Sequence, residues 1–371
     1  MRLSTEVLVL GGGPAGLSAG IALRGRGLEV TVVDALAPAI DKACGEGLMP
    51  GALAALERLG VRMTAADGMP FYGIRFVDEQ RQAEARFLGA HGLGVRRLRL
   101  HERLRERAEA CGVTLLWNTR CQPMGPGRAM VDGEELHYRW LVGADGQSST
   151  VRAWAGMGAC RMEKLRYGMR RHYRMAPWSE LVEVHWAERG QAYVTPVAED
   201  CVCVAFVGRA AHREAEEWLE DFPAIAERVE GVPLASAQRG AVSATRVLRE
   251  VERGGVALVG DASGSVDAVT GEGMASCFLQ AEVLADAMAE GHLEAYAKAH
   301  QRIGRLPHRM SLLLLLMDRF PGLEQRALEV FAERPEYFRE LLAVHVGARG
   351  LEEFLARRGL GFCMGLLRAG G

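Results

Sequence analysis

Residues 6–34 read EVLVLGGGPAGLSAGIALRGRGLEVTVVD, and this stretch decides the fold. Val7 to Leu10 form an unbroken apolar run closed by glycines, the pattern of a parallel strand buried on both faces. Ala15 to Arg26 repeats small and apolar residues at helical spacing, and Val30 to Val33 return as a second buried strand that ends at Asp34. The unit is therefore strand, tight turn, helix, strand, with Gly11, Gly13 and Gly16 in the GxGxxG positions. In such a turn the first glycine permits the bend, the second admits a pyrophosphate against the backbone, and the third lets helix and strand pack closely. Asp34, about twenty residues on, stands where a carboxylate accepts hydrogen bonds from a ribose diol. The stretch predicts dinucleotide binding, with Pro14 and Ala15 on the same turn.

Outward from this unit the chain alternates between two patterns. Phe71 to Val77 and Ala83 to Phe87 read as a hairpin that leaves the first domain, and Leu98 to Ala110 as an amphipathic helix. GVTLLW (112–117) and RWLVGADG (139–146) return as strands of the first domain. YGMRRHYRM, LVEVHWAE, QAYVTPV and CVCVAFVG, between residues 167 and 208, are consecutive strands with short turns, which predicts an antiparallel sheet in a second, substrate-facing domain. GGVALVGD (254–261) restores a buried parallel strand, and from Gly273 onward the pattern is helical. The expected fold is α/β: a Rossmann-like nucleotide-binding domain from residues 1–70, 95–160 and 250–295, an interleaved antiparallel-sheet domain from 71–94 and 161–249, and a helical C-terminus over 296–371.

Composition narrows the function. A formal net charge of -2 gives no reason to expect nucleic acid as a partner. The eight cysteines form no CxxC pair and no Cys/His cluster of zinc spacing, so no metal is expected and the thiols read as reduced, in a cytoplasmic protein. Cys201 and Cys203 are read as facing opposite ways on their strand, against joint ligation. A strand within the first ten residues leaves no signal peptide to expect. The longest apolar run, Leu312 to Met317, is too short to span a bilayer and reads as a helix packed on the body rather than as a peripheral membrane contact.

Two further motifs separate the possible dinucleotides. LVGADGQSSTVR ends a strand with Asp145 and Gly146, then offers Ser149 and Arg152, and VALVGDASGSVDAVTGEGM ends another with Gly260 and Asp261 before Gly271, Glu272 and Gly273. With GxGxxG near the start, a DG motif mid-chain and a GD motif before the last helices, the chain resembles the FAD-dependent superfamily of the aromatic hydroxylases (the p-hydroxybenzoate hydroxylase fold), the flavin-dependent halogenases and the geranylgeranyl reductases. The resemblance runs from residue 3 to about residue 290. It implies FAD as cofactor, held by Gly11, Gly13, Pro14, Ala15 and Gly16 at the pyrophosphate, Asp34 at the adenosine ribose, and Arg97, with Arg96 as its neighbour, at the start of a helix. Asp261 is implied at the ribityl chain or pyrophosphate, and Asp145 as a support of its loop. KACGEGL (42–48) resembles the PCGGG loop of the geranylgeranyl reductase branch, and VDAVTGEG resembles its DPLTGEG motif. Cys44, Gly45 and Gly47, with Gly271, Gly273 and Met274, are thus implied at the flavin. Glu46 departs from a glycine of that loop, and Ala268-Val269 from a proline-containing pair. The tryptophan pair and lysine of the halogenases have no match.

The reading that follows is an FAD-dependent oxidoreductase for a small apolar molecule. A monooxygenase acting on an aromatic or polyketide-like substrate leads. A geranylgeranyl reductase-like reductase of C=C bonds in a lipid or prenyl substrate is the alternative, and a flavin-binding protein without turnover the third reading. Electrons would come from NAD(P)H or from an electron-donor protein. Cys44, Glu46, Tyr193 and Glu272 are the candidate catalytic residues, with His172 and His185 on the sheet beside them. Cys44 has a packing reading as well as a redox one.

Overall fold

The computed structural model describes residues 3–162, 165–209 and 214–369. Its first sheet carries five parallel strands in the order Val256–Leu258, Glu134–Gly143, Leu3–Leu10, Val30–Val33 and Thr114–Leu116. Val7, Val9, Val30 and Val32 are almost wholly buried under helices Pro14–Gly25 and Gly273–Ala289 on one face, while Leu8, Leu10 and Val33 on the other face pack with Ala129 and Val131 of strand Arg128–Val131 and with Val151 of helix Thr150–Trp154. Helix Pro14–Gly25 crosses from the first strand to its neighbour Val30–Val33, whereas strand Glu134–Gly143 lies on the other side. The strand order therefore reverses beside Leu10, and a crevice opens at the carboxyl ends of the strands, the place where α/β sheets bind ligands. A hairpin of Cys121–Gly125 and Arg128–Val131, which the sequence pattern did not suggest, extends from strand Glu134–Gly143.

The second sheet has seven strands, in the order Arg239–Ser243, Arg166–Tyr173, Cys201–Gly208, Gly190–Ala198, Val182–Ala187, Gly73–Val77 and Gln82–Arg86. It is antiparallel as expected except at one pair: Val182–Ala187 runs parallel to Gly73–Val77. No turn joins these two strands, since the chain returns to the first sheet between them, and so nothing forces an antiparallel pairing. The expected strand over 71–77 divides in two. Met69–Phe71 joins a small sheet with Gly92–Gly94 and Gly47–Leu48, and Gly73–Val77 joins the large one. Cys201 and Cys203 correct the sequence reading. Residues two apart on a strand share a face, and both pack with Val197.

Helix Gly273–Ala289 packs on the first sheet, and Leu293–Arg319, Pro321–Glu333 and Pro335–His345 lie over the second. Leu312 to Met317 falls within the 27-residue helix Leu293–Arg319, and no helix of the described residues is long and apolar enough to cross a membrane.

Candidate active site where the two sheets meet

Three strand-to-turn corners face one cleft. Gly11, Gly13, Pro14 and Ala15 come from the first, Asp145 and Gly146 from the second, Gly260 and Asp261 from the third. Gly11 has a φ of +109°, and a Cβ there would lie 2.4 Å from the Ala144 carbonyl oxygen. Gly16 does not line the cleft. It lies beneath the turn, where a Cβ would stand 1.8 Å from the Gly11 carbonyl oxygen, so its part is close packing. A Cβ on Gly13 would meet no protein atom within 4 Å, which leaves open space on the cleft side.

Side chains hold this turn in shape. Asp34 lines the cleft and accepts hydrogen bonds from the Gly12 N–H (2.6 Å, Oδ2) and the Leu36 N–H (2.8 Å, Oδ1). Buried His101 donates from Nε2 to the Gly12 carbonyl at 2.9 Å, and burial lowers its pKa so that the ring is neutral. Sequence reading missed His101, which sits inside the helix that Arg97 opens. Arg97 reaches the cleft, its Nη1 3.6 Å from Met274 Sδ, whereas Arg96 lines an outer groove. Asp145 accepts from Ser149 Oγ, from the Thr150 N–H and hydroxyl, and from the Val151 N–H, so its carboxylate is occupied in shaping its own loop. Arg152 then ties that loop to the third corner by donating to the Ala262 carbonyl at 3.0 Å. Lys42 Nζ bridges to Asp261 Oδ2 at 3.2 Å, both on the cleft wall and both partly exposed.

Two helices begin at the cleft without a side-chain cap, Pro14–Gly25 after Gly13 and Gly273–Ala289 after Glu272. Their free N–H groups and positive dipole ends suit a ligand that carries negative charge at two places. A pyrophosphate and the pyrimidine edge of a reduced flavin meet that description.

An apolar pocket adjoins the cleft. Ile74, Phe76, Val182, Val184 and Trp186 line it from the large sheet, and Met310, Leu313, Phe331, Phe338 and Leu342 from the C-terminal helices. Cleft and pocket share Cys44, Gly45, Gly271 and Met274, so the two spaces meet at the loops that the resemblance placed beside the flavin. Gly47 lines the pocket rather than the cleft. Strand Gly190–Ala198 pins both loops. The Tyr193 hydroxyl donates to the Val269 carbonyl at 3.0 Å and the Thr195 hydroxyl to the Gly45 carbonyl at 2.8 Å. Burial also raises the Tyr193 pKa, which keeps the phenol protonated as a donor.

The remaining candidates separate by environment. Cys44 is on the shared wall, and its Sγ accepts from the Glu46 N–H at 3.4 Å. Glu46 has a φ of 59°, a left-handed conformation that glycine adopts more readily, and this accounts for a glycine at the corresponding place in the resembling loop. Its carboxylate turns inward. Oε1 accepts from the Arg97 N–H at 2.9 Å, and Oε2 lies 2.6 Å from His172 Nε2. Arg170 donates to His172 Nδ1 at 2.7 Å, so Nε2 carries the proton that Glu46 receives. Cys203 Sγ completes a cluster of possible metal ligands with Glu46 and His172, but the Arg170 guanidinium, 3.9 Å from Glu46, neutralises the carboxylate there. His185 points away from the pocket. It alternates with Val184 and Trp186 and binds Glu183 at 3.0 Å on the other face of the sheet.

Glu272 stands next to the shared wall, and burial pushes its carboxyl up to about 7. His345, from the last turn of helix Pro335–His345, lines the pocket. Its Nε2 lies 3.1 Å from the Thr270 carbonyl and 3.6 Å from Glu272 Oε1, and burial holds the imidazole down at about 4. Sequence reading missed His345, for it belongs to none of the three motifs.

A nucleotide cleft of this geometry, abutting an apolar pocket between the second sheet and the C-terminal helices, is the arrangement of a flavoprotein. The chain belongs to the FAD binding domain family, whose model matches residues 4–299, as its motifs led one to expect. It is 27% identical to the menaquinone reductase of Mycolicibacterium smegmatis over 86% of this chain and 87% of that one. The menaquinone reductase of Mycobacterium tuberculosis is 32% identical, but the match covers 40% of this chain and only 39% of that protein. The aurachin C monooxygenase/isomerase of Stigmatella aurantiaca is 26% identical over 82% and 86% of the two chains. Among solved structures, a flavoprotein/dehydrogenase of Cytophaga hutchinsonii shares the fold with a TM-score of 0.83 and 16% identity, over 98% of this chain and 99% of that one.

Proposed function

We propose that FAD occupies the cleft with its pyrophosphate at Gly11, Gly13, Pro14 and Ala15, over the close packing at Gly16, and its adenosine ribose at Asp34. In this reading Arg97 and Asp261 flank the middle of the cofactor, and the flavin ring ends at Cys44, Gly45, Gly271, Gly273 and Met274. The substrate is a small apolar or aromatic molecule in the adjoining pocket, and the reaction is a monooxygenation with electrons from NAD(P)H or a donor protein. When bound, FAD supplies the redox chemistry. The chain's own residues bind, orient and exclude water: the sheet and the C-terminal helices close the pocket, and Tyr193 and Thr195 fix the two loops between which the reacting atoms meet.

The observation that carries this reading is that cleft and pocket share Cys44, Gly45, Gly271 and Met274. A substrate in the pocket can touch a flavin in the cleft only across this wall. Likeness to a monooxygenase over most of both chains supports the reaction class. A second reading, reduction of a C=C bond in a lipid or prenyl substrate, is supported by the full-length likeness to a menaquinone reductase and by the almost wholly apolar lining.

One experiment separates them. The FAD-loaded protein is given NADH or NADPH with alkylphenols or with prenylated quinones, under ¹⁸O-labelled oxygen and again without oxygen. Label in the product establishes the monooxygenase. Saturation of an alkene without oxygen establishes the reductase and overturns the leading reading.

A further inference from the structure

Helix Leu293–Arg319 has two unlike sides. Met310, Leu313, Leu314 and Met317 line the apolar pocket. Arg302, Arg305, Arg309, Leu312, Leu316 and Arg319 are exposed, and they follow one another at steps of three and four residues, which sets them along one side of the helix. The apolar run Leu312 to Met317 is thus divided: Leu313, Leu314 and Met317 face the pocket, while Leu312 and Leu316 face out. A second exposed stripe lies on the last helix, Leu360–Arg368. Its Leu360 and Leu367 are 76% and 79% exposed and Met364 stands between them, whereas Phe362 turns in and stacks on Phe331. Arg309 pairs at 3.3 Å with Glu352 of the short helix Leu351–Phe354, so the first stripe reaches the segment that leads into the second.

Charge gathers on the same part of the chain. Residues 296–371 hold twelve Lys and Arg against eight Asp and Glu, a net of +4, while residues 1–295 carry -6. Arg302, Arg305 and Arg319 form no ion pair among the described residues. Leucines left in water at helical spacing mark a surface that another body covers, and arginines beside them mark that body as anionic. This is the composition of a helix that lies in the headgroup layer of a bilayer. A second copy of the chain fits less well, because a two-fold contact would set the basic face against itself.

We propose that the outer side of these two helices docks on an anionic membrane surface, with Leu312, Leu316, Leu360 and Leu367 in the headgroup layer and the arginines on lipid phosphates. The contact is peripheral, since no helix of the described residues is long and apolar enough to cross a membrane. In this pose the thickness of helix Leu293–Arg319, about 10 Å, separates the lipid from the pocket behind it. An apolar molecule that partitions into the bilayer then meets the roof of the pocket at the concentration it has in the lipid. This last step rests on reading the pocket as the substrate site; the docking does not.

Flotation with vesicles tests the docking. The vesicles are phosphatidylcholine alone, or an equal mixture of phosphatidylcholine and phosphatidylglycerol, and the proteins are wild type, Leu312→Gln/Leu316→Gln and Arg305→Gln/Arg319→Gln. All four positions are exposed, and far-UV circular dichroism with FAD content confirms that the variants fold. Wild type is expected to float with the anionic vesicles and to be released by salt. Each double variant should bind them about tenfold more weakly or worse. No flotation of wild type, or equal flotation of all three proteins, overturns the proposal. A wild type that self-associates in sedimentation velocity, does not float and becomes monomeric in the leucine variant assigns the face to a second copy and overturns it likewise. The assay uses neither substrate nor turnover. Failure of the docking therefore leaves the pocket reading as it stands, and failure of the pocket reading, seen as no binding of an alkylphenol in free solution, leaves the docking.

Discussion

Gly13 and Gly16 stand three residues apart in one turn and are expected to fail in different ways when enlarged. A Cβ at Gly16 meets the Gly11 carbonyl oxygen at 1.8 Å, so a side chain there breaks the turn itself. At Gly13 nothing of the protein lies within 4 Å, so Gly13→Val should fold normally and yet collide with a pyrophosphate in the cleft. The expected result is a protein with wild-type circular dichroism that is purified colourless; one that emerges fully yellow would place the pyrophosphate elsewhere. Glu272 makes a second prediction at this scale. Its carboxyl is raised from an ordinary 4.5 to about 7, so folding takes up a proton between these values. The stability cost is absent below about pH 4.5 and complete above about pH 7, where it amounts to about 3 kcal/mol. Glu272→Gln should therefore gain on wild type as pH rises from 5 to 8. Urea unfolding at the two pH values measures this, and an equal difference at both would show that Glu272 does not titrate in that range. His345 contributes with the opposite slope, since an imidazole held at about 4 costs stability as pH falls from 6.5 towards 4.

At the scale of elements, strand Gly190–Ala198 does the positioning. Its two hydroxyls reach to opposite walls, Tyr193 to Val269 and Thr195 to Gly45, and each leaves a carbonyl unpaired if removed. Tyr193→Phe and Thr195→Val should each cost about 1 kcal/mol in urea unfolding. If these bonds fix the loops at the shared wall, both variants keep their FAD while losing turnover; unchanged turnover would reduce the strand to a structural role. Such elements also show what the sequence could and could not reveal. The turn at Gly11–Gly16 was legible because its chemistry is local: strand, glycines and helix adjoin in the chain. The loop 42–48 was legible only by likeness, since nothing in its own pattern says that Glu46 adopts a φ of 59° or turns inward to His172. The opposite face taken by His185 was available from strand alternation, for Val182, Val184 and Trp186 form the apolar series and His185 falls between them. His345 was not available at all. It enters the pocket because helix Pro335–His345 folds back over the second sheet, a contact between residues some seventy positions from Thr270 in sequence with no motif to announce it.

For the whole molecule the question is what keeps the C-terminal helices seated as a roof on the second sheet. Apolar packing supplies most of the contact, with Phe331 stacked on Phe338 and Phe338 against Phe76 of the sheet. One buried polar knot adds direction. Asp318, in the last turn of helix Leu293–Arg319, receives Arg166 at 3.2 Å and Arg209 at 2.7 Å, and also the amide of Gln191; Arg166 in turn donates to Gln191 at 2.5 Å. Arg166 and Gln191 belong to strands Arg166–Tyr173 and Gly190–Ala198, so the knot fixes the end of the roof helix against two strands, one of which carries Tyr193 and Thr195. Both Arg166 and Asp318 are nearly closed to water, and removing one partner of such a buried pair costs about 3–5 kcal/mol, here towards the lower end because Asp267 stays 3.8 Å from Arg166. Asp318→Ala should therefore lower stability by that order and raise amide hydrogen exchange across residues 310–345. FAD content should hold, because Asp318 itself is not on the cleft wall, although the knot reaches the cleft through Asp267, 3.8 Å from Arg166. Asp318→Asn, which keeps a partner for Gln191 but drops the charge, should fall between wild type and alanine. Exchange that rises equally over the cleft would mean that the roof and the nucleotide domain open as one unit. Exchange confined to the roof would show that the pocket can open to admit its substrate while the cofactor stays held.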